Sequence, residues 1–441
     1  MESLNEIKLG KLFNPRSIAI VGASPKEGKI GNVITKNIME LGYEGKVYLV
    51  NPKHNEILGK KCYQSLSKVE EKIDLAVIII PAKLVVDEIK KNAEKVKNFV
   101  IISAGFSEIG FEGKEREKEL TNLAKKEKIN ILGPNCLGFI IPSLKLNASF
   151  AGGMPEAGHI SFISQSGALA VALMDMAKRE NIKFSNIISI GNKMQLSESE
   201  LLEFALQDEK TQVIGMYLES IKDGKRFMSI AQKVSKVKPI IILKAGKNAK
   251  TQKAISSHTG ALAGDSEIIS AVFKKAGILK ADNLEEFLNL FNFISDTKKN
   301  FAKDVVVITN AGGVGVLTAD AFNKKNIQLA NLDEITKKEL RSFLPAESSV
   351  ENPIDILGDA KEDRYVKTLE VVNKLPQVGA IICALTPQEQ TPIEKIAREI
   401  INFKKNTDKL IATIFLGGTK VAEAIEELKK NGICNFKFPN Q

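Results

Sequence analysis

Short apolar runs alternate with amphipathic stretches from one end of the chain to the other. Ser17-Ile18-Ala19-Ile20-Val21, Leu75 to Ile80 and Phe99-Val100-Ile101-Ile102 are three such runs, each followed by turn residues and then by a stretch of helical spacing. A run with no polar face predicts a strand covered on both sides, so the repeating unit is an α/β unit with buried parallel strands. The pattern breaks twice. Residues 142–158 are rich in Pro, Gly, Ser and Ala, and residues 295–303 are polar and Lys-rich before a new strand, Val305-Val306-Val307-Ile308. These breaks predict parts spanning 1–145, 146–297 and 298–441.

The second and third parts read as copies of one unit. Phe162-Ile163-Ser164-Gln165-Ser166-Gly167-Ala168 parallels Val307-Ile308-Thr309-Asn310-Ala311-Gly312-Gly313, and each run continues into an apolar helix with an aspartate at the same offset, Asp175 and Asp320. Val213-Ile214-Gly215-Met216 likewise matches Val378-Gly379-Ala380-Ile381. The duplication predicts two flavodoxin-like units that differ where Ser164 and Ser166 become Thr309 and Ala311.

Composition narrows the class. Apolar residues make up 44% and charged residues 26% of the 441, an ordinary globular balance. No apolar run approaches the roughly 20 residues of a membrane span, and the N-terminus lacks a basic segment followed by an apolar one, so neither a membrane nor a secretory signal is expected. The four cysteines are far apart, which argues against a zinc site or disulfide scaffold and fits a reducing cytoplasm. The net charge of +10 comes from lysines spread along the whole chain without basic blocks or interleaved aromatics, so it reads as solvated surface and not as a nucleic-acid interface.

Three places carry candidate chemistry. The first strand runs into Gly22-Ala23-Ser24-Pro25-Lys26-Glu27-Gly28-Lys29-Ile30-Gly31 and then a helix, a turn whose free N–H groups suit phosphate. It is neither G-x-G-x-x-G nor a P-loop: five residues separate Gly22 from Gly28, and Ile30 stands where Ser or Thr would be. The second strand ends in Val50-Asn51-Pro52-Lys53-His54, without the Asp or Glu that holds the ribose of NAD. This tip favours a ligand with extra phosphate such as coenzyme A; the plainer reading is a strand end with a solvated lysine. Second, Ser164-Gln165-Ser166-Gly167 lies between a strand and a helix. Two hydroxyls and several N–H groups aimed at one spot would cradle a phosphoryl group, whereas the plainer reading is a serine N-cap. Third, Glu219 ends an apolar run, where doubly wound sheets bind ligands, and His258 sits in the small-residue stretch Ser256 to Asp265, before a helix. An imidazole Nε2 attacks phosphorus when a carboxylate holds Nδ1–H, so His258 and Glu219 form a candidate nucleophile–orienter pair. A lone Glu at a strand end or a single loop His is ordinarily a surface residue, and His54 and His159 are read as surface or strand-edge residues.

In sequence order, these segments resemble the succinyl-CoA synthetase superfamily, specifically the α subunits of NDP-forming acyl-CoA synthetases. The resemblance rests on Val21-Gly22-Ala23-Ser24 with Gly28-Lys29-Ile30-Gly31, Ile131-Leu132-Gly133-Pro134-Asn135-Cys136-Leu137-Gly138, the Ser164 and His258 segments, and Asn352-Pro353-Ile354-Asp355-Ile356-Leu357-Gly358-Asp359-Ala360. It implies a CoA-binding Rossmann-like domain followed by two flavodoxin-like domains. It implies His258 as the phosphorylated residue, Glu219 as its support and Ser164, Gln165, Ser166 and Gly167 as the phosphate turn. It places CoA at Gly22, Ser24, Lys29, Asn51, Pro52, Lys53, Pro81, Ser103, Ala104, Asn135 and Cys136. The implied reaction is acyl-CoA plus ADP and phosphate giving acid, ATP and CoA through acyl phosphate and phosphohistidine. No ATP-grasp segment is read in the chain, so ADP or ATP with Mg is expected on a partner β subunit in an α2β2 assembly. Family members usually continue with a further helix past Gln441, so a truncated last domain or a fragment of a fused protein is an expectation. Three other readings compete: an acetyltransferase-associated member, which lacks the histidine; a CoA- or nucleotide-sensing protein without catalysis; and an NAD-dependent oxidoreductase, disfavoured at Asn51.

Overall fold

The computed structural model describes residues 9–246, 251, 266–295, 304–325 and 327–441. Its nineteen strands among the described residues form three sheets. The first holds β1 (Ser17–Val21), β2 (Lys46–Val50), β3 (Glu56–Ile57), β4 (Lys60–Tyr63), β5 (Leu75–Ile78), β6 (Asn98–Ile101) and β7 (Asn130–Leu132). Their order is β3-β4-β2-β1-β5-β6-β7, parallel except for the β3–β4 hairpin. Without the hairpin strand β3 this is the doubly wound dinucleotide-fold order, which reverses direction between β1 and β5.

The second sheet contains β8 (Gly138–Ile141), β9 (Leu146–Ser149), β10 (Ala157–Ser164), β11 (Phe184–Ser189), β12 (Val213–Leu218), β13 (Ile240–Lys244) and β14 (Leu279–Ala281). The third contains β15 (Asp304–Thr309), β16 (Ile354–Asp355), β17 (Val378–Leu385), β18 (Leu410–Phe415) and β19 (Cys434–Asn435). The orders are β14-β13-β12-β10-β11-β8-β9 and β16-β15-β17-β18-β19. Counted from β10 and from β15, the parallel strands of both sheets follow the flavodoxin order, second-first-third-fourth-fifth. The duplication in sequence is thus a duplication in topology.

Expected parallel strands account for all but β3, β8 and β9. β8 and β9 pair antiparallel with each other, and β8 pairs antiparallel with β11, so these two strands flanking residue 145 extend the second sheet. β8 ends just before the stretch whose Pro, Gly and Ser content reads as a break, and β9 falls inside it; a short hairpin needs such residues at its turn. The apolar run Leu75 to Ile80 leaves the ladder after Ile78, and Ile79 and Ile80 become cleft walls.

Two compact units divide the chain, Met1–Phe291 and Asn292–Gln441. In the first, one cluster of buried residues joins both sheets, with Ile18 and Ile20 of β1 and Ile163 of β10 among its members. Phe13 fixes the join: its ring lies 5.2 Å edge-on from Phe139 and 4.5 Å from Phe204. The opposite face of the first sheet has its own core. In the second unit, separate clusters cover the two faces of its sheet. No described helix is long and apolar enough to cross a membrane.

Candidate active site

Both sheets of the first unit place their sites where strand order reverses, because there the loops from adjacent strand ends diverge and open a crevice. In the first sheet a cleft of about 870 Å³ opens beyond β1, β2 and β5. It brings together Gly22, Ser24, Lys29, Asn51, Pro52, Lys53 and Pro81, and adds His54, Gln64, Ser65, Leu84 and Lys91. The helix Ile30–Glu40 begins at this cleft without a side-chain cap, leaving its first N–H groups for a ligand. A Cβ on Gly31 would overlap the Gly22 carbonyl, so only glycine lets the helix start this close to the turn. Ser24 Oγ accepts from Lys26 N (3.2 Å) and shapes the turn. Asn51 spends its side chain locally: Nδ2 donates to Ala23 O (2.7 Å) and Oδ1 accepts from Lys53 N (2.9 Å). It therefore sets the strand tip and aims Lys53, instead of offering a carboxylate to a ribose.

A line of hydrogen bonds leads from this cleft to the second sheet. Ser103 Oγ donates to Ile80 O, and Asn135 N donates to Ser103 O (3.1 Å). Asn135 Nδ2 reaches Asn192 Oδ1 at 3.2 Å. Asn192 Nδ2 in turn donates to Glu108 Oε2 at 2.6 Å. Burial pushes the Glu108 carboxyl up, but Asn192 and the N–H groups of Gly105 and Phe106 outweigh it and hold it below its ordinary value. Ser103, Ala104, Asn135 and Cys136 do not line the cleft. Cys136 is buried, donates to Ile101 O (3.3 Å), and its thiol is pushed up to about 12 by burial. It packs the join between turn and sheet.

At the second crevice, between β10 and β12, the turn of Ser164, Gln165, Ser166 and Gly167 differs from the expected two hydroxyls aimed at one spot. Ser164 is buried, its Oγ donating to Ser166 O (2.7 Å) and accepting from Ser166 N (3.2 Å). Ser166 caps the helix Gly167–Arg179, its Oγ accepting from Leu169 N (3.2 Å). Gln165 turns across the crevice: its Oε1 accepts from Glu219 N (2.9 Å) and Ser220 N (3.1 Å). Its side chain thus holds the Glu219 turn, because two consecutive N–H groups at the end of β12 need an acceptor once the ladder stops. Glu219 itself is buried, and its neighbour Tyr217 is pushed up to about 12, by burial first and by Glu219 second. His258, with Ser256 to Asp265 around it, lies outside the described residues. His159, read as a surface or strand-edge residue, is half-buried on β10, the central strand of its sheet, while His54 belongs to the cleft wall.

Family models match in the order of these sheets: a CoA binding domain at 16–142, a succinyl-CoA ligase like flavodoxin domain at 157–294 and a ligase-CoA domain at 305–441. The acetate–CoA ligase [ADP-forming] II subunit alpha of Pyrococcus furiosus is 41% identical over 98% of this chain and 95% of its own length. The chain belongs to the ADP-forming acyl-CoA synthetase family. The acetate–CoA ligases [ADP-forming] of Archaeoglobus fulgidus and Methanocaldococcus jannaschii are 41% and 44% identical, and the chain spans 61% and 62% of their length. Among solved structures, the dinucleotide forming acetyl-coenzyme A synthetase 1 of Ca. Korarchaeum cryptofilum in complex with phosphate and ADP superposes with a TM-score of 0.92 at 38% identity. That match covers 98% of this chain and 94% of the other.

The family's domain series thus coincides with one doubly wound sheet followed by two flavodoxin-like sheets. Sequence reasoning missed three lysines of this chain. Lys91 reaches the cleft from the helix Ala82–Asn92, and Lys193 and Lys244 are buried beside Glu219. The usable signal was position: Lys244 is the last residue of an otherwise apolar strand, at the end where ligands bind.

Proposed function

We propose that the chain is the α-type part of an ADP-forming acyl-CoA synthetase, built as 1–145, 146–297 and 298–441. CoA occupies the cleft beyond β1, β2 and β5, with its phosphates met by the N-terminus of the helix Ile30–Glu40 and by Lys29 and Lys53. Inorganic phosphate attacks the acyl carbon of acyl-CoA; the C–S bond breaks and the thiol leaves, giving acyl phosphate. Nε2 of His258 then attacks phosphorus, the acid departs as carboxylate, and the phosphoryl group passes from His258 to ADP. ADP, with Mg, sits on an ATP-grasp β partner in an α2β2 assembly in the cytoplasm. The observation that carries this reading is Glu219, a buried carboxylate at a topological switch point, on a turn gripped by Gln165 and beside the strand that leads on to His258. Mapping acid-labile label after incubation with acetyl-CoA and radiolabelled inorganic phosphate tests it. Label is expected on His258 and absent from His258→Ala; label elsewhere overturns it. Calorimetry tests the cleft: CoA binds more tightly than dephospho-CoA and NAD, and tighter NAD binding ends the assignment.

A further inference from the structure

The turn Glu219–Ser220 is held by more than Gln165. Its two N–H groups meet one oxygen of Gln165, and its two carbonyls meet two ammonium groups. Lys244 Nζ donates to Glu219 O at 2.8 Å and Lys193 Nζ to Ser220 O at 2.5 Å. The four backbone polar groups of the pair therefore have side-chain partners drawn from at or beyond the ends of three strands: β10, β11 and β13. Both lysines are buried, and Lys193 is paired with the buried Glu198 at 3.0 Å. Lys244 also donates to Ala245 O (2.6 Å), so one ammonium ties the Glu219 turn to the first residue of the segment running toward His258.

The duplicated unit supplies an internal control. There Asn310 Oδ1 accepts from Thr386 N at 2.8 Å, the same grip that Gln165 has on Glu219. Leu385 pairs with Phe415 where Leu218 pairs with Lys244. Where the carboxylate is replaced by Thr386, the ammonium is replaced by a buried Phe415, although fold and register are the same. A lysine at this place is thus not demanded by the fold. It accompanies the carboxylate.

We infer that Lys244 and Lys193 are positioning residues that fix the turn carrying the Glu219 carboxylate, a role that rests on the phosphohistidine reading. Each fixes a backbone carbonyl, and a carboxylate on a loosened turn misses the imidazole in most of its conformations.

The test uses the full-length chain, with and without an ATP-grasp partner, supplied with acetyl-CoA and radiolabelled inorganic phosphate. Lys244→Met is expected to slow labelling of His258 by roughly 10²-fold, the cost of a misplacement of about 1 Å. The loss falls on the rate at saturating phosphate, with the Kd for CoA unchanged, and Lys244→Arg restores most of the rate. Because Lys193→Met strands Glu198, it is paired with Lys193→Met/Glu198→Gln, which removes both buried charges and is expected to show the same loss. Wild-type rates in Lys244→Met and the double variant overturn the assignment, as does a loss that Lys244→Arg fails to recover. A wild type that takes up no label on His258 is a distinct result: it overturns the phosphohistidine reading and the positioning role with it.

Discussion

Glu219, the carboxylate proposed to orient His258, shows how little of such a role is in the residue itself. A carboxylate that orients an imidazole must be held, and here the holding is done by its backbone partners. Glu219→Gln keeps every backbone bond of the turn and removes only the anionic acceptor. Its expected outcome is a fall in His258 labelling of roughly 10⁴-fold, the scale of tautomer control in comparable hydrogen-bonded sites. Calorimetry should show CoA binding unchanged. Lys244 adds a pH signature. Burial, then Lys193, push its ammonium down, Glu219 pushes it up, and the balance is about 8. Below about 8 it is charged and grips both carbonyls; as pH rises through that value the charge is lost and the grip weakens. The charged groups around it are Lys193 after β11 and Glu219 after β12, with Glu198 behind Lys193. Rate against pH is therefore expected to fall above about 8 in the wild type, and the fall should move upward in Lys244→Arg, whose guanidinium stays charged. At this scale the sequence yielded types and order. Glu219, Ser166 and the Asn51 tip could be read as candidates because each sits at a strand end. The direction of Gln165 and the burial of Lys193 could not, since both depend on carbonyls and amides brought from other strands.

The elements owe their positions to close approaches that a few residues permit. The helix Ile30–Glu40 begins against the Gly22 turn, and Gly22 itself has φ +99°. Gly31→Ala forces helix and turn apart. We expect a lower Tm, with a cost of about 1–3 kcal/mol as for other overpacked sites, and a weaker CoA affinity by calorimetry. Ser166→Ala removes one N-cap bond from the helix Gly167–Arg179; thermal unfolding should show a loss of about 1 kcal/mol. The duplicate helps to interpret the turn before that helix. Thr309 Oγ1 donates to Ala311 O (3.0 Å) and accepts from Ala311 N (3.0 Å), the same pair of bonds that Ser164 makes with Ser166. The Ser164 hydroxyl is therefore part of how the unit turns from strand to helix. What separates the copies is the cap at Ser166, the carboxylate at Glu219 and the lysine at the end of β13.

Over the whole molecule, Met1–Phe291 and Asn292–Gln441 each close their own cores. A fragment spanning 304–441 is expected to fold alone, with a cooperative urea transition followed by circular dichroism. A fragment ending at 145 is expected to aggregate in size-exclusion chromatography. It cuts the β8–β9 hairpin, strips β8 of its partners and exposes Phe13 and Phe139, which are buried where the two sheets of the first unit meet. The sequence alone determined the strand–helix alternation, the duplication and the residue types at the ends of β1, β2, β10 and β12. Those features are local: a strand buried on both faces writes its burial into consecutive apolar residues, and a turn writes its backbone into glycine. Only the tertiary structure decided that β8 and β9 join the second sheet, that Cys136 packs and does not line the cleft, and that two lysines stand behind Glu219. Edge pairing and the burial of a charge are settled by which distant groups arrive to meet them, and a lysine at the end of a strand has the same local sequence whether its ammonium reaches water or a buried carbonyl.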